Sequence, residues 1–166
     1  MATEKLKFKL ELWATMWSKP PHVEVQVNEA ERFITYFDKE ISSTIEKPTV
    51  IEFEHECDSN YKDGYCLRLK RSGKDIGQTI VDNDGKILKD QCLHIKSLEI
   101  DEINLGDLIY RGVYTPNYPE PWYSQQKSLG KEPPDTIDNC DTMGHDGKWE
   151  FKFESPFYMW LLENLY

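Results

Sequence analysis

Residues 65–105 read YCLRLKRSGKDIGQTIVDNDGKILKDQCLHIKSLEIDEINL, and two kinds of signal in them predict the fold: strict alternation and tight turns. Tyr65, Leu67 and Leu69 fall on one side of an extended chain, with Cys66, Arg68 and Lys70 on the other. That is the period-2 pattern of a half-buried strand. QTIVD and KILKD then face each other across Asn83-Asp84-Gly85, a tight-turn sequence whose glycine is free to take positive φ. The loop is not an EF-hand. Counting from Gly85 places Ile80 at the first ligand position and Gln91 where the closing glutamate belongs. From Cys92 onward the chain reads as one long strand whose apolar phase shifts between Ile95 and Leu98. Such a shift predicts a β-bulge, or a bend where a strand passes from one sheet to another.

The same alternation extends upstream. Leu6, Phe8, Leu10 and Leu12 share a face against Lys7, Lys9 and Glu11. Pro20-Pro21 ends that strand, and Val23, Val25 and Val27 begin another, followed by RFITYF. After a polar stretch, VIEFEHE puts Ile51, Phe53 and His55 on one face and leads into the loop CDSNYKDG. Downstream, residues 106–147 hold most of the prolines, many aromatics and little periodicity, so an irregular insert is expected there. Trp149, Phe151 and Phe153 then mark a closing strand, and SPFYMWLLENLY predicts a short helix or tail with Ser155 as N-cap and Pro156 at its first position. About eight short strands without a long amphipathic helix predict an all-β chain: one antiparallel, jelly-roll-like β-sandwich spanning residues 1–166. Within it, residues 4–105 are the core strands and 148–166 the closing strand and tail.

Composition narrows the function. A formal charge of −10 argues against partnership with nucleic acid or an anionic membrane. No apolar run reaches the length of a bilayer span, and MATEKLKFKL alternates where a signal peptide would be continuously apolar, so cytoplasmic synthesis is the expectation. The four cysteines, Cys57, Cys66, Cys92 and Cys140, include no CxxC pair, which disfavours zinc. A Cys57–Cys66 bridge and four free thiols both fit the spacing, and free thiols are the expected state. No P-loop, dinucleotide fingerprint, nucleophile elbow or HExxH is present, and Glu52 and Glu54 read as a solvated strand face. A non-enzyme is expected.

Two segments carry binding chemistry. In YTPNYPEPWY the rings of Tyr114, Tyr118, Trp122 and Tyr123 sit among prolines that stiffen the loop. Such rings stack on sugars, anchor a protein partner, or simply cover an open edge of the sandwich, and the sequence leaves the three open. In DNCDTMGHDGK, Asp138, Asp141, His145 and Asp146 make either a carboxylate–imidazole group or an ordinary turn before a strand. The apolar end MWLLENLY, with Met159, Leu162 and Tyr166 on one helical side, either caps the sandwich or docks on another subunit.

The run from Tyr65 to Ile103 resembles the calcium-dependent, xylan-binding type of carbohydrate-binding module. The matching features are Arg71 to Lys74, then Asp75, the turn Asp82 to Gly85, and the strand closing on Leu98 to Asp101. The resemblance implies a β-sandwich that binds a polysaccharide or other glycan without catalysis. It also implies calcium bridging to sugar hydroxyls, held by Asp75 with Asp82 or Asp90 and by Asp58 or Asp63 from a neighbouring loop. Where that family carries several acidic or amide residues after Gly-Lys, this chain has Asp75 followed by Ile76, Gly77 and Gln78. Residues 112–166 are similar instead to proteins encoded by marine tailed phages, which implies a virion-associated setting. Carbohydrate binding is the leading expectation. The alternative is a structural or accessory protein that meets a partner, or a second copy of itself, through the aromatic insert and C-terminal tail.

Overall fold

The computed structural model describes residues 3–165. In chain order the strands are β1 (Thr3–Thr15), β2 (His22–Glu29), β3 (Arg32–Glu40), β4 (Thr49–Asp58), β5 (Tyr65–Ser72), β6 (Ile80–Val81), β7 (Ile87–Lys89), β8 (Cys92–Ile100) and β9 (Ile103–Asn104). They continue with β10 (Val113–Pro116), β11 (Thr142–Met143) and β12 (Gly147–Phe153); the helices are α1 (Trp122–Ser128) and α2 (Phe157–Asn164). One five-stranded sheet runs β11-β8-β1-β4, with β9 paired to β8, and the other runs β10-β12-β5-β2-β3. The β6–β7 hairpin stands apart from both. Every pairing is antiparallel.

The inner faces are the alternating apolar sets. Leu6, Phe8, Leu10 and Leu12 meet Val23, Val25, Val27, Leu67 and Leu69 across the interior, with Trp149, Phe151 and Phe153 buried beside them. Each such side chain contributes roughly 1.5–3 kcal/mol by leaving water, so the alternation sets which face of every strand turns inward.

Each of the two five-stranded sheets carries one bulge. Glu11 pairs with Ser97 and Leu12 with Ile95, which leaves Lys96 as the extra residue. The apolar phase shift is therefore a bulge; β8 stays in one sheet and turns back at Asp101-Glu102, both with positive φ, into β9. In β3, Val25 pairs with Phe37 and Gln26 with Thr35, leaving Tyr36 as the extra residue. Tyr36 reaches across to the other sheet's edge, stacking on Phe53 at 4.4 Å with its hydroxyl 2.5 Å from His55 Nδ1.

Residues 106–147 are more ordered than their composition predicts. They hold a 3₁₀ turn at Gly106–Arg111 and α1, add β10 to one sheet and β11 to the other, and so bind the two layers together. The tail forms α2, beginning one residue later than predicted. Its exposed first N–H groups are met not by Ser155 but by Glu4 of β1, whose carboxylate accepts from Phe157 N at 3.0 Å. Phe157 and Leu161 are buried, Phe157 against Phe153, and Trp160 meets Phe151, so α2 closes one flank of the sandwich. Tyr158, Met159, Leu162 and Leu165 remain exposed; Tyr166, predicted to share their side, lies outside the described residues. No helix among the described residues is long and apolar enough to cross a membrane.

Candidate functional site

The strand registers bring the β1–β2, β5–β6, β7–β8, β10–α1 and β11–β12 connections to one end of the sandwich. Beneath them lies a charged network. Continuing Tyr65, Leu67, Leu69 by one step points Arg71 inward, and it is only 2% exposed. Its guanidinium donates to Met143 O, to Gln91 O at 2.8 Å and to Gln91 Oε1 at 2.7 Å, so it ties β5 to the start of β8 and to β11. Arg71 Nε has no hydrogen-bond partner, and Asp146 Oδ1 is 3.9 Å from it.

Lys74 enters the same space with a side chain only 9% exposed. Its ammonium donates to Asp90 Oδ1 at 2.9 Å and to Gly144 O, while its backbone N–H meets Asp146 Oδ1 at 3.1 Å. Asp90 Oδ1 also accepts from Thr79 Oγ1 at 2.7 Å and from Gln91 N at 2.8 Å. Burial pushes the Asp90 carboxyl up, but the hydrogen bonds from Lys74, Thr79 and Gln91, with the Lys74 charge, outweigh it and hold it below the ordinary carboxylate value. Asp146 goes the other way, raised by burial against the pull of the Lys74 N–H and of Arg71. Two cations and two carboxylates thus balance in one half-closed space, which suits a rigid frame, since buried charges persist only when paired.

The predicted aromatic residues divide. Tyr114 is a correction: it is 2% exposed in the core, so its ring is not open to a sugar. Its hydroxyl donates to His145 O at 2.5 Å and accepts from His145 N at 2.9 Å. Tyr118, Trp122 and Tyr123 are half-buried and gathered together, with Tyr118 5.5 Å from Trp122 and 5.4 Å from Tyr123 between ring centroids. Tyr118 and Trp122 both lie against the His145 ring, at 5.1 and 5.2 Å. The Tyr118 hydroxyl donates to Pro134 O, and the Lys127 ammonium sits over the Tyr123 ring at 4.5 Å. Burial, with the charges of Lys74 and Arg71, pushes the His145 imidazole down to about 4, so it is neutral at ordinary pH.

The carboxylates implied for calcium do not converge. Asp75 is exposed and bonded to Lys19 Nζ at 2.6 Å. Asp82 Oδ1 accepts from Asp84 N at 2.9 Å and Lys86 N at 2.8 Å, holding the hairpin turn, with Gly85 at φ +82. Asp58 Oδ1 accepts from Asn60 N at the sandwich's other end, and Asp90 is held by Lys74. Calcium takes six to eight oxygens within about 2.6 Å. As arranged, Asp75, Asp82 and Asp90 do not fit one such ion. The one group of three ligand-type side chains that comes within 4.8 Å among the described residues is His22, Glu24 and Asp38, on the outer face of β2 and β3. Asp138 and Asp141 do not join His145 and Asp146. Asp141 instead accepts from the Tyr110 hydroxyl and from Thr142 Oγ1, and its backbone oxygen from Ile95 N. His145-Asp146 is no hairpin turn either, for it carries the chain from β11 in one sheet to β12 in the other.

A cleft of about 510 Å³ lies at the opposite end, between edge strands β3 and β4. Tyr36, His55, Tyr61 and Tyr65 line it, with Glu29 and Glu56. It depends on the β3 bulge, which no pattern in RFITYF announces.

No protein-family model matches the sequence. No curated protein matches it. Among solved structures the chain is similar to vCBM60, described in work on a circular permutation linking two families of calcium-dependent carbohydrate binding modules. The two are 7% identical, with 89% of this chain and 90% of that chain covered and a TM-score of 0.48.

Proposed function

We propose that this chain is a non-catalytic carbohydrate-binding protein that receives a glycan at the loop end, on the rings of Trp122 and Tyr118. The observation that carries this reading is the half-exposed cluster of Tyr118, Trp122 and Tyr123, seated on His145 above the charged network. Flat rings offer the apolar face that sugar C–H groups stack on, and a frame ordered before binding spends little entropy on holding them. Gln126, one turn after Trp122 on α1, supplies a hydrogen-bonding partner for hydroxyl groups, whereas the Glu120 carboxylate is taken up by Ser124 N and Oγ. Tyr123 contributes less, because Lys127 covers it. Calcium assistance belongs to the same reading only if an ion is held by groups other than the Asp75–Asp82 pair.

The test is a glycan array with purified protein, repeated with Trp122→Ala. Loss of the stacking ring is worth about 1.4 kcal/mol, so the variant binds about tenfold more weakly, with circular dichroism showing that it is folded. A protein that binds no glycan, or a variant that binds equally well, overturns the reading.

A second reading rests on α2, whose exposed Tyr158, Met159, Leu162 and Leu165 form an apolar strip on a short helix. It makes the chain an assembly protein, such as a virion component, that self-associates through its tail. Light scattering on wild type and on Leu162→Asp decides it: a dimer or larger that falls to monomer supports it, and a wild-type monomer removes self-assembly.

A further inference from the structure

The cation among the convergent oxygens of the loop end is a side chain. Lys74 Nζ meets Asp90 Oδ1 at 2.9 Å and Gly144 O, and the Lys74 N–H holds Asp146. Asp90 is fixed from two further sides, by Thr79 Oγ1 and Gln91 N. We infer that the Lys74 ammonium is this protein's built-in counterpart of a bound metal ion, ordering the β5–β6, β7–β8 and β11–β12 connections from within the chain, so that the site accepts a divalent cation only after Lys74 is neutralised.

Three features support this. An ion at Asp90 would face the like charge of an ammonium already bonded to the same carboxylate oxygen, with Arg71 close behind. The side chain is too enclosed, at 9% exposure, for Lys74 to swing freely aside. The two oxygens on the ammonium, a carboxylate and a carbonyl, are of the hard kind that calcium takes, with the Thr79 hydroxyl on the same carboxylate oxygen and the Asp146 carboxylate on the Lys74 backbone N–H. Removing the ammonium leaves Asp90 Oδ1 and Gly144 O without the charge that joins them. The inference concerns how the loop end is held and does not depend on whether a glycan binds there.

The experiment is thermal unfolding with millimolar calcium and with chelator, on wild type, Lys74→Gln, the double variant Lys74→Gln/Asp90→Asn, and Lys19→Gln. Wild type and Lys19→Gln are expected to melt at the same temperature in both conditions, to within about a degree. Lys74→Gln melts lower in chelator and regains several degrees in calcium, because an ion that binds only the folded state stabilises it. The double variant loses that response. A wild-type shift of several degrees with calcium overturns the inference. So does a Lys74→Gln chain that gains nothing from calcium, whether it is folded or unfolded in both conditions. A glycan array that fails leaves all of these outcomes readable.

Discussion

Gly112 has ordinary backbone angles, φ −62 and ψ 143, and is needed for space. A Cβ there would lie 2.2 Å from Cε2 of Trp149, a ring with no exposed surface. Gly112→Ala is therefore expected to cost about 1–3 kcal/mol or more by overpacking, read as a lower urea midpoint at unchanged slope. His145 makes a second prediction. Its folded value, about 4, lies below the ordinary 6.5, so protons favour the unfolded chain. Stability is full above about 6.5 and is lost as pH falls toward about 4. Melting temperatures taken across that window should fall with acid, and less steeply in His145→Gln. Some slope remains in the variant, because burial lowers His55 and His94 in the same direction.

At the scale of elements, α2 shows which force holds a short terminal helix. Its eight residues are too few to be stable alone. It is held by the Glu4 carboxylate on Phe157 N, by the burial of Phe157 and Leu161, and by exposed hydrogen bonds from Arg111 to Asn164 and from the Tyr158 hydroxyl to Asp101. Glu4→Ala should cost about 1 kcal/mol, the typical worth of a cap, whereas Phe157→Ala should cost about 3–5 kcal/mol through the cavity it leaves. Chemical denaturation of the two variants orders them; equal losses would mean that the cap contributes as much as the core contact. The β3 bulge acts at the same scale. One extra residue turns Tyr36 from a strand position into a bridge between sheet edges, and the cleft beside His55 exists because of it.

For the molecule as a whole, all four cysteines are free. Cys57 is buried between the sheets, while Cys66 points to the other side of its strand, toward Glu150 at 3.6 Å. Burial pushes both thiols up to about 12, with nearby acidic groups adding to it, so almost no thiolate is present at neutral pH. The expected result is that reductant leaves the melting temperature unchanged. Thiol reagent should label Cys57 and Cys66 slowly in the native protein, and all four thiols at once after unfolding. Rapid native labelling of Cys57 would show that the flank beside β4 opens far more readily than its burial suggests.

Period-2 alternation was enough to assign β1, β2, β4, β5 and β12 and the inward face of each, because burial of an apolar side chain outweighs most local preferences, while β8 was readable as a strand with a phase shift. The Asp82–Gly85 turn was likewise readable, since its chemistry is local. Even buried Arg71 was within reach: it stands at the next inward position after Leu69, though a charge there reads as a surface residue until its partners are known. Those partners, Gln91 and Met143, are 20 and 72 residues away along the chain, a separation no periodic pattern reports. The same holds for Tyr114, which reads like its neighbours Tyr118 and Trp122 but is buried because β10 joins a sheet edge that β12 creates. Only the tertiary structure could pair Lys74 with Asp90. Charge pairing acts through space, and the folded strands alone decide which acid meets which base.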